Sequence, residues 1–391
     1  MIWMVFIYNQ IKDLAARVMV SPKTSILDND MVLDEKEQES RLLGLGFEQP
    51  QTARRSLQRL GLINTNEQTK KLLQYLLLSL SEVPEPDRVL VSLARFIEIY
   101  TARQDLYEQL AQNPRAVDLL VKVFTGSQYL GEILLCRPQY FTRLLGETRL
   151  AAKKNPEQYA QEAWQEMAAE VDLDASLDAV RRYQRFELLR IGTCDLLDTF
   201  DLANATRQLS HLAIGIIRAC LRLVCRFFPF DEADFVVIGM GKLGGKELNY
   251  SSDIDLLFLS LADEGSPAME ASVRLGERLV DALTRVTAEG FLYRVDMRLR
   301  PWGAVGPLVS TPKAFMRYLT QHARLWEKQA LLKSRVIAGN RSQGNEFLRS
   351  AKQLIFDMPP EVVRNQVFAM KQLTESYLRA NHRGWGEVKL G

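Results

Sequence analysis

The chain has little of what metal and redox modules are built from. Its 391 residues include three histidines and four cysteines. Cys136, Cys194, Cys220 and Cys225 form no CxxC pair, and no histidine lies close enough in sequence to complete a zinc pattern. Buried, reduced thiols in a cytoplasmic protein are expected instead. Charge of one sign is also lacking. The formal net charge is +2, so no global field points to nucleic acid or to a membrane surface. With no aromatic-basic stripe either, RNA is not an expected partner. The apolar opening, MIWMVFIY, is far shorter than the roughly 20 residues that span a bilayer. It also lacks the positive segment that opens a signal peptide. It reads as a packing segment, or as an artefact of where the chain was started.

What is present is the mix of an ordinary globular protein, 47% apolar and 25% charged, in a chain long enough for two or three domains. Residues 1–43 read as an N-terminal segment with a polar linker over 21–41. Residues 44–229 are helical in pattern, with apolar residues at three- and four-residue spacing. Breakers at Pro84, Pro86, Pro114, Gly126, Pro138 and Pro156 cut this region into helices of ordinary length. No short repeat of the solenoid kind occurs. Within it, residues 181–198 are dense in charge. Arg182, Arg185 and Arg190 either turn toward a phosphate or form a solvated helix face with Glu187 as local partner. Residues 230–340 form the expected catalytic core. Residues 341–391 begin another helical region that stops at GEVKLG with no closing element.

The core is organised around FVVIGMGKLGGKELNYSSDID, residues 235–255. It reads as an apolar strand over 235–240, a glycine-rich turn, and a second strand opening on two carboxylates. Side chains alternate along a strand, so Asp253 and Asp255 share one face while Ile254 and Leu256 pack on the other. Two carboxylates on one face repel unless a cation sits between them. Mg²⁺ favours such a pair together with phosphate oxygens. The glycines, Gly244 and Gly245, leave room for backbone N–H groups to approach a phosphate. Lys242 and Ser252 lie within this stretch and join the expected phosphate-binding set. A DxD pair can also merely cap a loop.

Further on, Ser266 and Pro267 open a helix expected to run to about Glu289 and end at Gly290. FLYRVDMRLRPWG then alternates strictly, with Arg294, Asp296, Arg298 and Arg300 on one face. An exposed edge strand fits that pattern, and so does a third acid with arginines that grip polyphosphate. A glycine-bearing loop over 301–310 precedes a helical segment. In it Lys333 and Arg335 flank a possible phosphate path, while Trp326 and Glu327 read equally well as core and as charged face.

GMGKLGGKELNYSSDIDLLF, YRVDMRLRPWGAVGPLVS and LWEKQALLKSRVIAG together resemble glutamine synthetase adenylyltransferase, the bifunctional adenylylating and adenylyl-removing enzyme of bacterial nitrogen control. The likeness is closest over residues 235–339 and extends upstream to about residue 44. It implies an α+β fold: a polymerase-beta-type nucleotidyltransferase domain with a small mixed sheet, embedded in a predominantly helical chain. It implies Asp253, Asp255 and Asp296 as metal ligands and catalytic residues, with Arg298 and Arg300 on phosphate. Mg²⁺ is the implied cofactor and ATP, or ADP and phosphate, the nucleotide substrates. Glutamine synthetase is the implied partner, with a PII-type signal protein as a second. The stretches look more like the N-terminal, adenylyl-removing copy than the adenylylating one. In the family a stretch like 388–391 leads into further acidic residues, and a second catalytic copy follows. The chain therefore reads as a fragment, and a regulatory module binding glutamine synthetase or a PII-type protein is the alternative to an enzyme.

Overall fold

The computed structural model describes residues 34–63, 67–147 and 149–380. The opening apolar stretch, most of the expected linker and residues 388–391 lie outside them. The chain divides into two compact units. One contains the residues up to Ala151 with Leu189–Phe200, the other Ala152–Leu188 with Asp201 onward.

The first unit is helical. Proline opens three of its helices, Pro50–Arg59, Pro86–Ile99 and Pro114–Gly126. At a first helical position its missing N–H costs nothing. The apolar faces meet around Phe96, whose ring lies 6.0 Å from Phe124 and 5.7 Å from Phe141. The linker expected over 21–41 is corrected at its end, where Glu35–Gly44 is a helix. Asp34 accepts the Glu37 N–H at 2.8 Å, Glu35 and Glu37 sit at the positive end, and Leu42 is buried.

The second unit carries the sheet. Three helices precede it: α1 (Pro156–Ala168), α2 (Leu173–Leu196) and α3 (Leu202–Phe227). The sequence pattern grouped these with residues 44–229. In the structure α1, α3 and α2 up to Leu188 go with the sheet. The reason is α3, which is long and apolar enough to cross a membrane yet has 83% of its most apolar stretch buried inside the protein. It packs on α1 and on strand β5 (Arg335–Gly339).

Strands β1 (Phe235–Gly239), β2 (Ile254–Ser260), β3 (Val295–Asp296) and β4 (Val309–Ser310) complete a mixed sheet. β1 is central and antiparallel to both β2 and β5. β3 and β4 both run parallel to β2, on its other side. Short helix α4 (Gly241–Gly245) joins β1 to β2, and α5 (Pro267–Thr284) follows β2. The chain continues through α6 (Pro312–Gln321), α7 (Leu325–Ala330), α8 (Arg341–Phe356) and α9 (Pro360–Ala380). Val236, Ile238, Leu257, Leu259 and Val336 form one apolar cluster with Phe315 of α6 and Phe347 of α8. Phe235 and Phe258, of opposite parity, pack with tilted rings 5.2 Å apart on the other face, against α5.

Three expected elements are corrected. The helix opened by Ser266 ends at Thr284 rather than near Glu289. Thr287 and Gly290 exchange backbone hydrogen bonds of 3.0 and 2.9 Å, closing a turn there. The alternating stretch 291–303 is strand only at Val295–Asp296, because the chain then turns on the Gly303 N–H to Arg300 carbonyl bond of 2.9 Å. RVIAG, expected as helix, is β5, since β1 offers it a free edge.

The turn after α5 is held by α2. Arg181 donates to the Arg285 carbonyl at 2.9 Å, Gln184 to the Leu292 carbonyl at 2.7 Å, and Arg185 to the Glu289 carbonyl at 2.9 Å. Both sequence readings of the α2 arginines are thereby overturned. Arg182 and Arg185 pin the turn; Arg190 is buried and donates to the Leu150 carbonyl at 2.6 Å. Glu187 is buried with Lys154, 2.9 Å away, as a partner. Gln184→Ala leaves the Leu292 carbonyl buried without its donor. We expect it to lower unfolding stability by about 1–3 kcal/mol in a urea titration.

Candidate active site

The site is assembled at the end of β2. Asp253 lies one residue before the strand and Asp255 one residue inside it, so both share the face that carries Leu257 and Leu259. β3 pairs Asp296 directly with Asp255, and Ile254 with Val295, in parallel register. The Ile254 N–H donates to the Arg294 carbonyl at 2.9 Å, locking that register. The three predicted acids thus meet at one sheet end on one face.

Their charges are handled differently. Arg294 binds Asp253 at 2.5 Å. Arg298 grips both oxygens of Asp296, at 2.6 Å from its terminal nitrogen and 2.9 and 3.0 Å from Nε, and its backbone N–H adds a bond of 2.8 Å. The Arg298 side chain holds the Asp296 carboxyl below the usual carboxylate range. Asp255 has no such partner. Burial first, then the charges of Asp296 and Asp253, push its carboxyl up, against a smaller pull from Arg298 and Lys242. A half-buried carboxylate repelled by two neighbours calls for a cation, and an all-oxygen donor set suits Mg²⁺. Among the described residues no three acidic, histidine or cysteine side chains are already gathered at metal-binding spacing. Arg294 and Arg298 occupy the carboxylates of Asp253 and Asp296, and a metal ion would have to take their place.

The room for such an ion comes from Gly241, which was not singled out in the sequence. Its φ is +51°, and a Cβ there would stand 2.5 Å from Asp255 Oδ2. The signal was available, since Gly241 opens the GKLGG turn. Gly244 is a correction. Its N–H donates to the Met240 carbonyl at 2.9 Å, so it cannot cradle a phosphate. A Cβ at Gly244 would lie 2.3 Å from the Lys333 carbonyl oxygen, which makes it a packing glycine.

The other predicted phosphate ligands divide. Lys242 and Arg298 are near enough for their charges to act on Asp255. Ser252 accepts the Asn249 N–H at 3.4 Å and closes the loop that delivers Asp253. Arg300 is a second correction. It donates to the carbonyls of Met297, Ala304 and Gly306 at 2.8, 2.9 and 3.1 Å, which ties the 297–306 loop instead of reaching phosphate. Lys333 pairs with Glu247 at 2.5 Å and Arg335 donates to the Gly244 carbonyl at 3.2 Å, behind the turn. Glu327 accepts from the Tyr318 hydroxyl and from the Arg324 N–H, so it is a structural cap. Arg294, missed as a site residue, was legible as the same-face neighbour of Asp296 two positions away.

Residues 117–350 match the family model described as glutamate-ammonia ligase adenylyltransferase, which takes in every residue of this site. The chain is 33% identical over 359 residues to the bifunctional glutamine synthetase adenylyltransferase/adenylyl-removing enzyme of Chromobacterium violaceum, covering 88% of the chain and 40% of that protein. The enzymes of that name from Pseudomonas aeruginosa and Streptomyces avermitilis are 33% and 34% identical, over 73% and 81% of the chain. In those two alignments 31% of each relative is covered. The chain spans well under half the length of these relatives.

Proposed function

Since the chain belongs to the glutamate-ammonia ligase adenylyltransferase family, we propose that its sheet unit is a Mg²⁺-dependent nucleotidyltransferase for AMP on a tyrosine of glutamine synthetase. It works in the removing direction, with inorganic phosphate displacing the tyrosine oxygen from AMP to give ADP. The small mixed sheet between helices supports a polymerase-beta-type fold. The observation that carries the reading is the in-register pairing of Asp255 with Asp296 beside Gly241. The RVDMRLRPWG form of the β3 region supports the adenylyl-removing direction.

Mg²⁺ held by Asp253, Asp255 and Asp296 would neutralise phosphate charge and align the attacking and leaving oxygens. The chain's own residues bind and orient. Arg294 and Arg298, released from their carboxylates, present planar donor forks to phosphate oxygens. Lys242 adds a point charge beside Asp255. The 297–306 loop, tied by Arg300, keeps Arg298 at the rim, where its side chain is 78% exposed. Holding the substrates in line is most of the work in phosphoryl-type transfer. The same residues serve the separate adding reaction, in which the tyrosine oxygen attacks the α-phosphate of ATP and pyrophosphate leaves.

The protein acts in the cytoplasm on glutamine synthetase, with a PII-type signal protein as a second partner. The test is ADP release from adenylylated glutamine synthetase and phosphate, measured with and without Mg²⁺. We expect Mg²⁺-dependent release that Asp253→Asn abolishes. Binding of glutamine synthetase with no release in either direction would favour the regulatory module instead.

A further inference from the structure

Behind the α4 turn lies a cavity of 370 Å³ whose lining includes Lys333, Ser334, Arg335, Asn345, Arg349 and Lys352. None of its lining residues is acidic or aromatic. Lys333 is compensated by Glu247 at 2.5 Å. The other three cations have no carboxylate partner among the described residues. Arg335 donates from Nε to the Gly244 carbonyl at 3.2 Å, and Lys352 to the Ser334 carbonyl at 3.0 Å, so each keeps further donors free. Arg349 is exposed at the cavity edge. Burial and then the charge of Arg335 push the Lys352 ammonium down, and burial, Arg335 and Arg207 do the same to Lys246. Like charges gathered on one cavity wall repel, and Arg335, Arg349 and Lys352 have no carboxylate among the described residues to offset this.

The cavity is walled off from the three acids by the turn itself. Gly241 faces Asp255, whereas Gly244 is pressed against the Lys333 carbonyl and lines the cavity. We propose that this cavity is a second anion site, separate from the carboxylate site, that takes a phosphate-sized oxyanion between Arg335, Arg349 and Lys352. The guanidinium groups supply paired donors to oxyanion edges and Lys352 a point charge from the floor. With no aromatic face to stack on, the site recognises the anion and not a nucleoside. The inference uses none of the acids and stands independently of the reaction proposed above.

Calorimetric titration of the full chain with inorganic phosphate, in EDTA and at low salt, tests it. One saturable site is expected without metal. Arg349→Ser and Lys352→Met should each weaken it about tenfold or more, the loss of one charge-assisted contact. Asp255→Asn should leave it unchanged. Arg349 is exposed, so its variant keeps the fold and reads the site even if Lys352→Met does not. Ribose 5-phosphate as competitor separates the sources. Equal competition identifies a phosphomonoester and none identifies the free anion, and either supports the site. No binding in EDTA overturns the proposal. So does binding that Asp255→Asn removes and Arg349→Ser spares. Loss of ADP release with phosphate binding intact would count against the reaction and not against this site.

Discussion

Asp255→Asn is expected to cut turnover by roughly a hundredfold or more while raising the melting temperature of the metal-free protein. The activity loss follows because a preorganised charge at a transferring phosphoryl group is worth about 10²–10³ in rate. The stability gain follows from the sign of the shift. The Asp255 carboxyl is raised in the folded state by burial, Asp296 and Asp253. Between the unfolded and folded values the unfolded chain therefore binds fewer protons, and stability falls as pH rises through that window. The penalty grows as pH rises through that window, and asparagine does not carry it. The difference between variant and wild type should shrink as pH drops below the ordinary carboxylate range. Asp296 has the opposite sign. Its depressed carboxyl stabilises the fold at neutral pH, and that contribution is lost as acid titrates it. Mg²⁺ should raise the melting temperature of the wild type and leave that of Asp255→Asn unmoved. Thermal scans at neutral and acid pH, with EDTA or Mg²⁺, read all of this. An Asn variant that melts lower than wild type in EDTA at neutral pH would contradict the repulsion at the site.

How far the sequence could be read depends on how local the determining physics is. β1, the turn, and the start of β2 were legible because an apolar run, glycines and a DxD pair all signal within about twenty residues. Strand parity put Asp296 on one face with its flanking arginines, the family resemblance grouped it with Asp253 and Asp255, and the register pairs it with Asp255. β5 was not legible. RVIAG is a short apolar run that fits helix or strand, and only the open edge of β1 decides between them. Arg300 and Arg298 looked alike, two positions apart on one face. The turn at Met297 breaks the alternation, sending one guanidinium to Asp296 and the other to three carbonyls. The α2 arginines were misread for a related reason. The Arg185 partner, the Glu289 carbonyl, lies 104 residues away in sequence, and the Arg190 partner, the Leu150 carbonyl, 40 residues away. A buried arginine paired with backbone leaves no pattern that periodicity can detect.

The two glycines of the turn separate fold from chemistry, and alanine at each should show it. At Gly244 a Cβ would stand 2.3 Å from the Lys333 carbonyl oxygen and 2.6 Å from that of Gly239. Both are backbone atoms, one at the end of β1 and the other just before β5, so relief requires parting the turn from the sheet. Gly244→Ala should lower stability by about 1–3 kcal/mol, the usual cost of overpacking, or more. At Gly241 the near atom is the carboxylate oxygen of Asp255, 2.5 Å away, at the free end of a side chain. The carboxylate can swing aside, so the stability cost is mainly that of alanine in the left-handed region at φ +51°, about 1–2 kcal/mol. Swinging aside takes Asp255 away from Asp296. Gly241→Ala should therefore lose turnover and the Mg²⁺-dependent rise in melting temperature while its unfolding remains cooperative. The phosphate titration of the cavity behind the turn should survive Gly241→Ala and fail in Gly244→Ala, because only Gly244 touches the segment that carries Lys333. The reverse pattern would mean that the turn does not divide the two sites.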